Sequence, residues 1–78
     1  MHMRSLSDIF PGHRYMVVSM ELDNAMCRRL IDMGVVPNAE ISLAFTAPSG
    51  SPIAFWIKGA LIALRRDDCC KILVKERV

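Results

Sequence analysis

RRLIDMGVVPNAEI, residues 28–41, is the stretch that decides the fold, because a helical pattern ends within it and the alternating pattern of a strand begins. Gly34 stands where a helix commonly ends with a residue at positive φ. Pro37 follows at a distance that prevents the helix from resuming. The stretch therefore predicts a helix followed by a strand, and the other elements are placed relative to this corner.

The chain of 78 residues predicts one small domain with a dense core. A chain of this size buries only about 60% of its unfolded surface when it folds. Hydrophobic residues make up 53% of the sequence and charged residues 23%, which excludes a disordered chain and leaves apolar surface for a partner. The apolar residues are mostly aliphatic residues and methionines, a composition typical of a core and not of an aromatic platform for nucleic-acid bases.

The formal net charge of +2 is too small to predict nucleic-acid binding. Six of the ten lysines and arginines nevertheless lie toward the C-terminus, at Lys58, Arg65, Arg66, Lys71, Lys75 and Arg77. They predict one mildly basic edge. No nucleic-acid-binding motif accompanies this edge, so we interpret it as a solvated charged face and predict no nucleic-acid partner.

Three cysteines, an odd number without paired spacing, favour a reducing cytosolic compartment over a disulfide framework. No secretory signal is visible at the N-terminus. The longest uncharged run, residues 41–57, is interrupted by two prolines and a glycine and is shorter than the roughly 20 residues that a membrane-spanning helix needs. We predict a cytoplasmic protein that does not insert into the membrane and that is held there, if at all, through a partner.

Residues 1–4 are assigned to an N-terminal tail without a role, which can include residues added by cloning, and residues 5–78 to a single domain. Ser5 is spaced to cap one helical turn. Residues 13–22 alternate in polarity and predict the first strand. Its side chains that are expected to face inward are Met16, Val18 and Met20.

A helix is predicted over residues 25–33, with Asp23 or Asn24 as its N-cap. One face has apolar residues at helical spacing and is expected to be buried: Met26, Leu30 and Met33. The outward face is charged: Arg28, Arg29 and Asp32. Arg28 and Asp32 are spaced for an ion pair across one turn of the helix.

Four more strands follow the corner. Residues 39–46 alternate in polarity and predict the second strand, residues 53–58 the third, and residues 61–65 the fourth, after a turn at Gly59 and Ala60. A short helical turn from Arg66 precedes a fifth strand. Short connections between the middle three strands indicate an antiparallel meander. The predicted fold class is mainly β with short helices: a small SH3-like five-stranded barrel, plus one helix after the first strand.

Few residues in the chain have the spacing of a metal-binding or catalytic site. Cys27, Cys69 and Cys70 match no recognised zinc pattern, and adjacent thiols point in different directions on a helix or a strand. We expect one thiol of the adjacent pair to be buried and the other to be incidental, so no metal ligand set is predicted. No cysteine has a credible activating base beyond His13, and no glycine-rich phosphate loop is present, so we predict that the protein is not an enzyme.

Three segments together resemble the FeoA family: residues 29–41 (RLIDMGVVPNAEI), 47–53 (APSGSPI) and 59–66 (GALIALRR). Their order and spacing extend the similarity over nearly the whole chain. The resemblance implies a small cytoplasmic SH3-like domain of bacterial ferrous iron uptake that acts with the membrane GTPase-transporter FeoB. The chain departs from the family pattern at three positions: Asn38 where the family has Gly, Ser51 where Asp is common, and Cys69 where a small or aliphatic residue is usual.

The first functional hypothesis is a protein-interaction module that docks on FeoB without a cofactor. Its candidate partner-binding residues are Arg28, Arg29, Asp32, Lys58, Arg65 and Arg66. The alternative is a carrier or sensor that binds ferrous iron directly through Cys27, Cys69 and Cys70, like the SH3-like domain of the iron-dependent repressors. The oligomeric state is left open.

Overall fold

A computed structural model describes residues 3–77, which form six strands, two short helices and one 3₁₀ turn. The elements in chain order are β1 (Met3–Ser5), the 3₁₀ turn (Leu6–Asp8), β2 (Tyr15–Met20), α1 (Asn24–Asp32), β3 (Glu40–Thr46), β4 (Ile53–Ile57), β5 (Ala60–Leu64), α2 (Arg66–Cys69) and β6 (Ile72–Glu76). The mainly β fold class with one helix after the first long strand is confirmed.

All six strands belong to one antiparallel sheet in the order β1-β6-β2-β3-β4-β5. The predicted meander is therefore present as β3–β4–β5. Within residues 3–77, the two end strands β1 and β5 are not hydrogen-bonded neighbours. The 3₁₀ turn, which follows β1, contacts α2, which follows β5. The Ser5 hydroxyl donates to the Cys69 carbonyl oxygen at 3.2 Å.

The strand count is six and not five because β1 was not predicted. Met3 and Arg4, which were expected in a tail, pair with Lys75 and Val74 of β6. Residues 1 and 2 of that expected tail lie outside the described residues. A three-residue strand has no readable alternation, so only the backbone pairing with β6 could reveal it.

The inward face predicted for residues 13–22, which contain β2, was wrong. Tyr15 and Val17 are buried, whereas Met16 and Val18 are only partly buried. A bulge between Val17 and Ser19 then shifts the register, so that Met20 lies opposite the fully buried Ile72 and packs against the core. Residues 15–18 carry four apolar or aromatic side chains in succession, and alternation alone could not decide which pair faces the core.

Tyr15 is completely buried because its polar group has a partner. The Phe10 backbone N–H donates to the Tyr15 hydroxyl oxygen at 3.1 Å, so the ring occupies the core without an unsatisfied oxygen. The same bond fixes the loop between the 3₁₀ turn and β2 to the centre of the domain.

α1 begins at Asn24, one residue before the predicted start, and its N-cap is Asp23, one of the two predicted: the Asp23 side chain accepts a hydrogen bond from the Met26 N–H at 2.8 Å. Leu30 is fully buried and Met26 packs partly against the core. Met33 is 40% exposed, so the third position of the predicted buried stripe was wrong. The helix ends at Asp32, and Met33 is already its C-cap.

The corner after α1 is a Schellman motif. The Val35 N–H donates to the Leu30 carbonyl at 2.8 Å and the Gly34 N–H donates to the Ile31 carbonyl at 3.0 Å. Gly34 has φ +99°, a conformation that L side chains rarely adopt. Val35 and Leu30, the two residues that commonly touch in this motif, are both fully buried. The predicted role of Gly34 is confirmed.

Two further turns use positive φ. Asn38, which replaces the glycine of the family pattern, has φ +73°, and its N–H donates to the Val17 carbonyl at 2.8 Å. The β4–β5 hairpin turns at Lys58 and Gly59, with φ +49° and +79°, and not at Gly59 and Ala60 as predicted. Positive φ at both residues is the type I′ geometry that suits the twist of a two-residue hairpin.

The core lies on the inner side of the curved sheet under α1. Its members are Leu6, Ile9, Tyr15, Val17, Leu30, Val35, Ala39, Ile41, Ile53, Phe55, Ile57, Ile62, Leu64, Cys69, Ile72 and Val74. A second bulge, between Leu43 and Phe45, turns Phe45 outward, where it is 58% exposed. Phe45 therefore leaves an apolar side chain of β3 in contact with solvent.

We expect Gly34→Ala to lower the free energy of unfolding by about 1–2 kcal/mol, because alanine is strained at positive φ. A Cβ at this position would meet Lys58 Cδ at 3.6 Å, an ordinary contact, so the loss comes from the backbone alone. Gly34→Asn should lose less, since asparagine tolerates positive φ better. Urea denaturation of both variants measures the difference, and an alanine variant as stable as the wild type would contradict this account of the corner.

Candidate partner-binding surface

An open groove of about 400 Å³ lies between α1 on one side and β5 and α2 on the other. Its lining residues are Met26, Arg29, Met33, Ala63, Leu64, Arg65 and Asp68. The helix reaches this position because Leu30 is anchored in the core while the Schellman corner ends the helix. Met26, Met33, Ala63 and Leu64 contribute apolar atoms to the lining, and the two arginines come from opposite walls.

The six predicted partner-binding residues do not form one surface. Arg29 and Arg65 both line the groove, although 36 residues separate them in sequence. Arg28 and Asp32, with Arg29, line a second depression of about 440 Å³ along the outer side of α1. Lys58 lines a third of about 240 Å³ beside Trp56.

Arg66 has a structural role in the described chain. Its Nε–H donates to the Gly50 carbonyl at 2.9 Å, and its backbone N–H donates to the Ser51 hydroxyl at 3.2 Å. Arg65, the N-cap of α2, makes no side-chain capping bond. The Ser51 hydroxyl of the β3–β4 loop therefore accepts a hydrogen bond from a backbone N–H of the first turn in its place. These two bonds hold the loop against α2.

Ion pairs in residues 3–77 lie away from the groove. They join His13 to Glu76, and Glu40 to both Arg14 and Arg77. The predicted ion pair between Arg28 and Asp32 is not among them, which corrects that expectation. All three observed pairs connect the loop before β2, the start of β3 and the end of β6, so they do not neutralise either arginine of the groove.

The outer side of the β3–β4–β5 meander also carries exposed apolar side chains. Trp56 and Leu61 face each other across β4 and β5 and are 47% and 48% exposed. Phe45 lies opposite Ala54, whose partner on β5 is Ala63. These residues are not among the predicted partner-binding residues, although the sequence carries a signal for Trp56: it stands between two inward residues, Phe55 and Ile57, and alternation places it outside.

The three cysteines occupy different environments. Cys69 is fully buried, and burial, together with the neighbouring Cys70 and Asp68, raises its pKa from 9.0 to about 12. Cys70 is exposed, and its thiol donates to the Ser7 hydroxyl at 3.5 Å. Cys27 is partly buried, with its thiol donating to the Leu22 carbonyl at 3.4 Å.

Direct metal binding through these thiols has no ligand set to support it. Across residues 3–77, no group of three or more His, Cys, Asp or Glu side chains is placed to hold a metal ion. Metal-binding thiols must also be deprotonated, and the burial of Cys69 opposes this. Cys69 instead fills a core position, as its small or aliphatic counterpart would.

None of the helices described is long and apolar enough to cross a membrane.

The structure thus defines a small β domain with a groove between its edge strand and its helices. The chain belongs to the FeoA domain family, whose model matches residues 4–76. A curated relative, the Fe(2+) transport protein A/Fe(2+) transporter FeoB fusion protein of Porphyromonas gingivalis, is 30% identical over 70 residues. The match covers 90% of this chain but only 8% of that relative's length.

Two solved structures share the fold. The FeoA protein from Chlorobium tepidum is 34% identical, with a TM-score of 0.90 and coverage of 95% of this chain and 70% of that chain. The Stenotrophomonas maltophilia FeoA complexed with zinc, a prokaryotic SH3 domain protein, is 24% identical, with a TM-score of 0.77 and coverage of 91% and 88%. At that identity the second comparison bears on the fold alone, and it confirms the SH3-like class.

Thiol labelling tests the cysteine environments. At about pH 8, where an ordinary exposed thiol is partly ionised, we expect iodoacetamide to alkylate Cys70 first and Cys69 only after unfolding in urea. Mass spectrometry of tryptic peptides from Cys70→Ser and Cys69→Ala variants separates the adjacent sites. Rapid alkylation of Cys69 in the folded Cys70→Ser variant would contradict the burial of that thiol.

The pH dependence of stability has a definite sign. The folded state keeps Cys69 protonated well above the pH at which the unfolded chain releases that proton, so the free energy of unfolding should fall as pH rises above about 9. Urea denaturation on either side of this pH should show a smaller fall for Cys69→Ala than for the wild type. An equal fall in both would assign the effect to other groups.

Proposed function

We propose that this domain is an accessory component of bacterial ferrous iron uptake that binds the transporter FeoB and modulates transport. The observation that carries the proposal is the relative in which a homologous domain and FeoB form one polypeptide. Two proteins that are fused in one organism commonly act together when they are separate. Family membership supports the iron-uptake context.

The physical properties of the domain agree with a binding role. Met33, Trp56 and Leu61 remain between 40% and 48% exposed around the groove and the outer sheet face, although the core is otherwise well filled. Exposed apolar groups of this kind are typical of surfaces that associate with another protein. We propose no catalytic role, and we place the domain at the cytoplasmic side of the membrane through FeoB.

Binding and transport are tested together. The domain should co-purify with the FeoB of its own organism, and a strain that lacks the domain should take up radioactive ferrous iron more slowly until the wild-type gene is restored. The matched control is a FeoB-deletion strain, in which adding or removing the domain should change nothing. Uptake that is the same with and without the domain, together with no co-purification, would refute the proposal.

Direct iron binding is tested separately. We expect anaerobic titration of the purified domain with ferrous iron to give no saturable binding, because Cys27, Cys69 and Cys70 form no ligand group. Replacement of all three by serine should leave the calorimetric trace unchanged. Saturable binding that the triple variant loses would make the domain an iron carrier or sensor.

A further inference from the structure

The groove between α1 and β5 is lined by both apolar and charged side chains, and polar atoms provide the larger part of its exposed lining. Met26 and Met33 form the helix side and Ala63 the strand side, while Leu64, only 4% exposed, also contributes to the lining. Methionine side chains adapt to the shape of a bound group. The groove volume of about 400 Å³ lies within the range of about 300–1,000 Å³ that binding pockets occupy.

One wall of the groove is the edge of the sheet. β5 is the last strand in the sheet order and pairs only with β4. In the described part of the chain, residues 60–64 make no backbone hydrogen bond outside that ladder. An edge strand has alternate N–H and C=O groups directed away from its neighbour, and an extended peptide can pair with them by adding a strand.

The charges of the groove favour an acidic ligand. Arg29 and Arg65 approach from opposite walls, and neither makes an ion pair or a side-chain hydrogen bond within residues 3–77. Asp68 is the single carboxylate of the lining. Two guanidinium groups against one carboxylate leave a positive excess, and guanidinium groups bind carboxylates through paired hydrogen bonds.

The other two depressions lack this combination. The depression on the outer side of α1 is lined by that helix alone, with Asn24, Ala25, Arg28, Arg29 and Asp32, and includes no strand edge. The depression beside Trp56 is smaller, about 240 Å³, and Lys58 is the single basic residue of its lining, while its Glu40 is ion-paired with Arg14 and Arg77.

We propose that the groove between α1 and β5 is the docking site for an extended segment of FeoB that carries an apolar side chain next to an acidic one. The apolar side chain lies between the two methionines and Ala63, the segment's backbone pairs with the free edge of β5, and its carboxylate contacts Arg29 and Arg65. This assignment rests on the proposed function, since it names the surface through which the domain binds its partner.

Binding of the domain to full-length FeoB, purified in detergent from the same organism, tests the assignment by biolayer interferometry. Arg29→Glu and Arg65→Glu should each raise the dissociation constant by about tenfold or more, because each replaces an attraction by a repulsion. Lys71→Glu, an exposed charge reversal outside the groove, is the matched control and should have little effect. Circular dichroism checks that each variant is folded.

Hydrogen exchange supplies a second readout. Bound FeoB should slow amide exchange in residues 60–64 of the wild-type domain, as strand addition requires. Wild-type binding that neither arginine variant weakens, or that only Leu61→Glu or Arg28→Glu weakens, would overturn the groove assignment and leave the proposed function intact. Absence of any binding by the wild type would refute the proposed function, and the groove assignment with it.

Discussion

The Schellman corner at Gly34 is the constraint on which the rest of the domain depends. Its two hydrogen bonds end α1 within one residue and turn the chain so that Val35 enters the core beside Leu30. The chain then meets β2 directly, because Asn38 and Ala39 exchange backbone hydrogen bonds with Val17. α1, β2 and β3 are thereby joined at one point. α1 lies beside the edge strand β5.

The groove is a consequence of that arrangement. α1 is anchored by Leu30, which lies on its inner side, so its neighbouring residues Met26, Arg29 and Met33 face the space next to β5. The short helix α2, held by Arg66 to the β3–β4 loop, limits the same space at its other end through Asp68. Each element therefore has a stabilising contact on one side and lines the groove on the other.

Apolar residues of the same types fill the core and lie exposed on the surface of this small domain. Residue type and spacing therefore did not predict correctly which of them are buried. Met33 fits the helical stripe of Met26 and Leu30 but lies beyond the last helical residue. Phe45 is a second case: it is apolar, yet it follows a bulge in β3 and is exposed. In a bulge, two residues of one strand lie opposite one residue of its partner. A bulge therefore depends on the partner strand and leaves no sign in the sequence of a single strand.

The sequence by itself determined the order and type of the main elements, an N-cap at Asp23 or Asn24, the corner at Gly34 and the family. These features rest on local backbone chemistry: a capping carboxylate, a residue free to adopt positive φ, and the period of apolar side chains. Only the tertiary structure decided the added strand β1, the inward side of β2, and the placement of Arg29 and Arg65 along one groove. Those outcomes depend on pairing between residues that are distant in sequence, and neither propensity nor spacing along the chain encodes which distant segments come together.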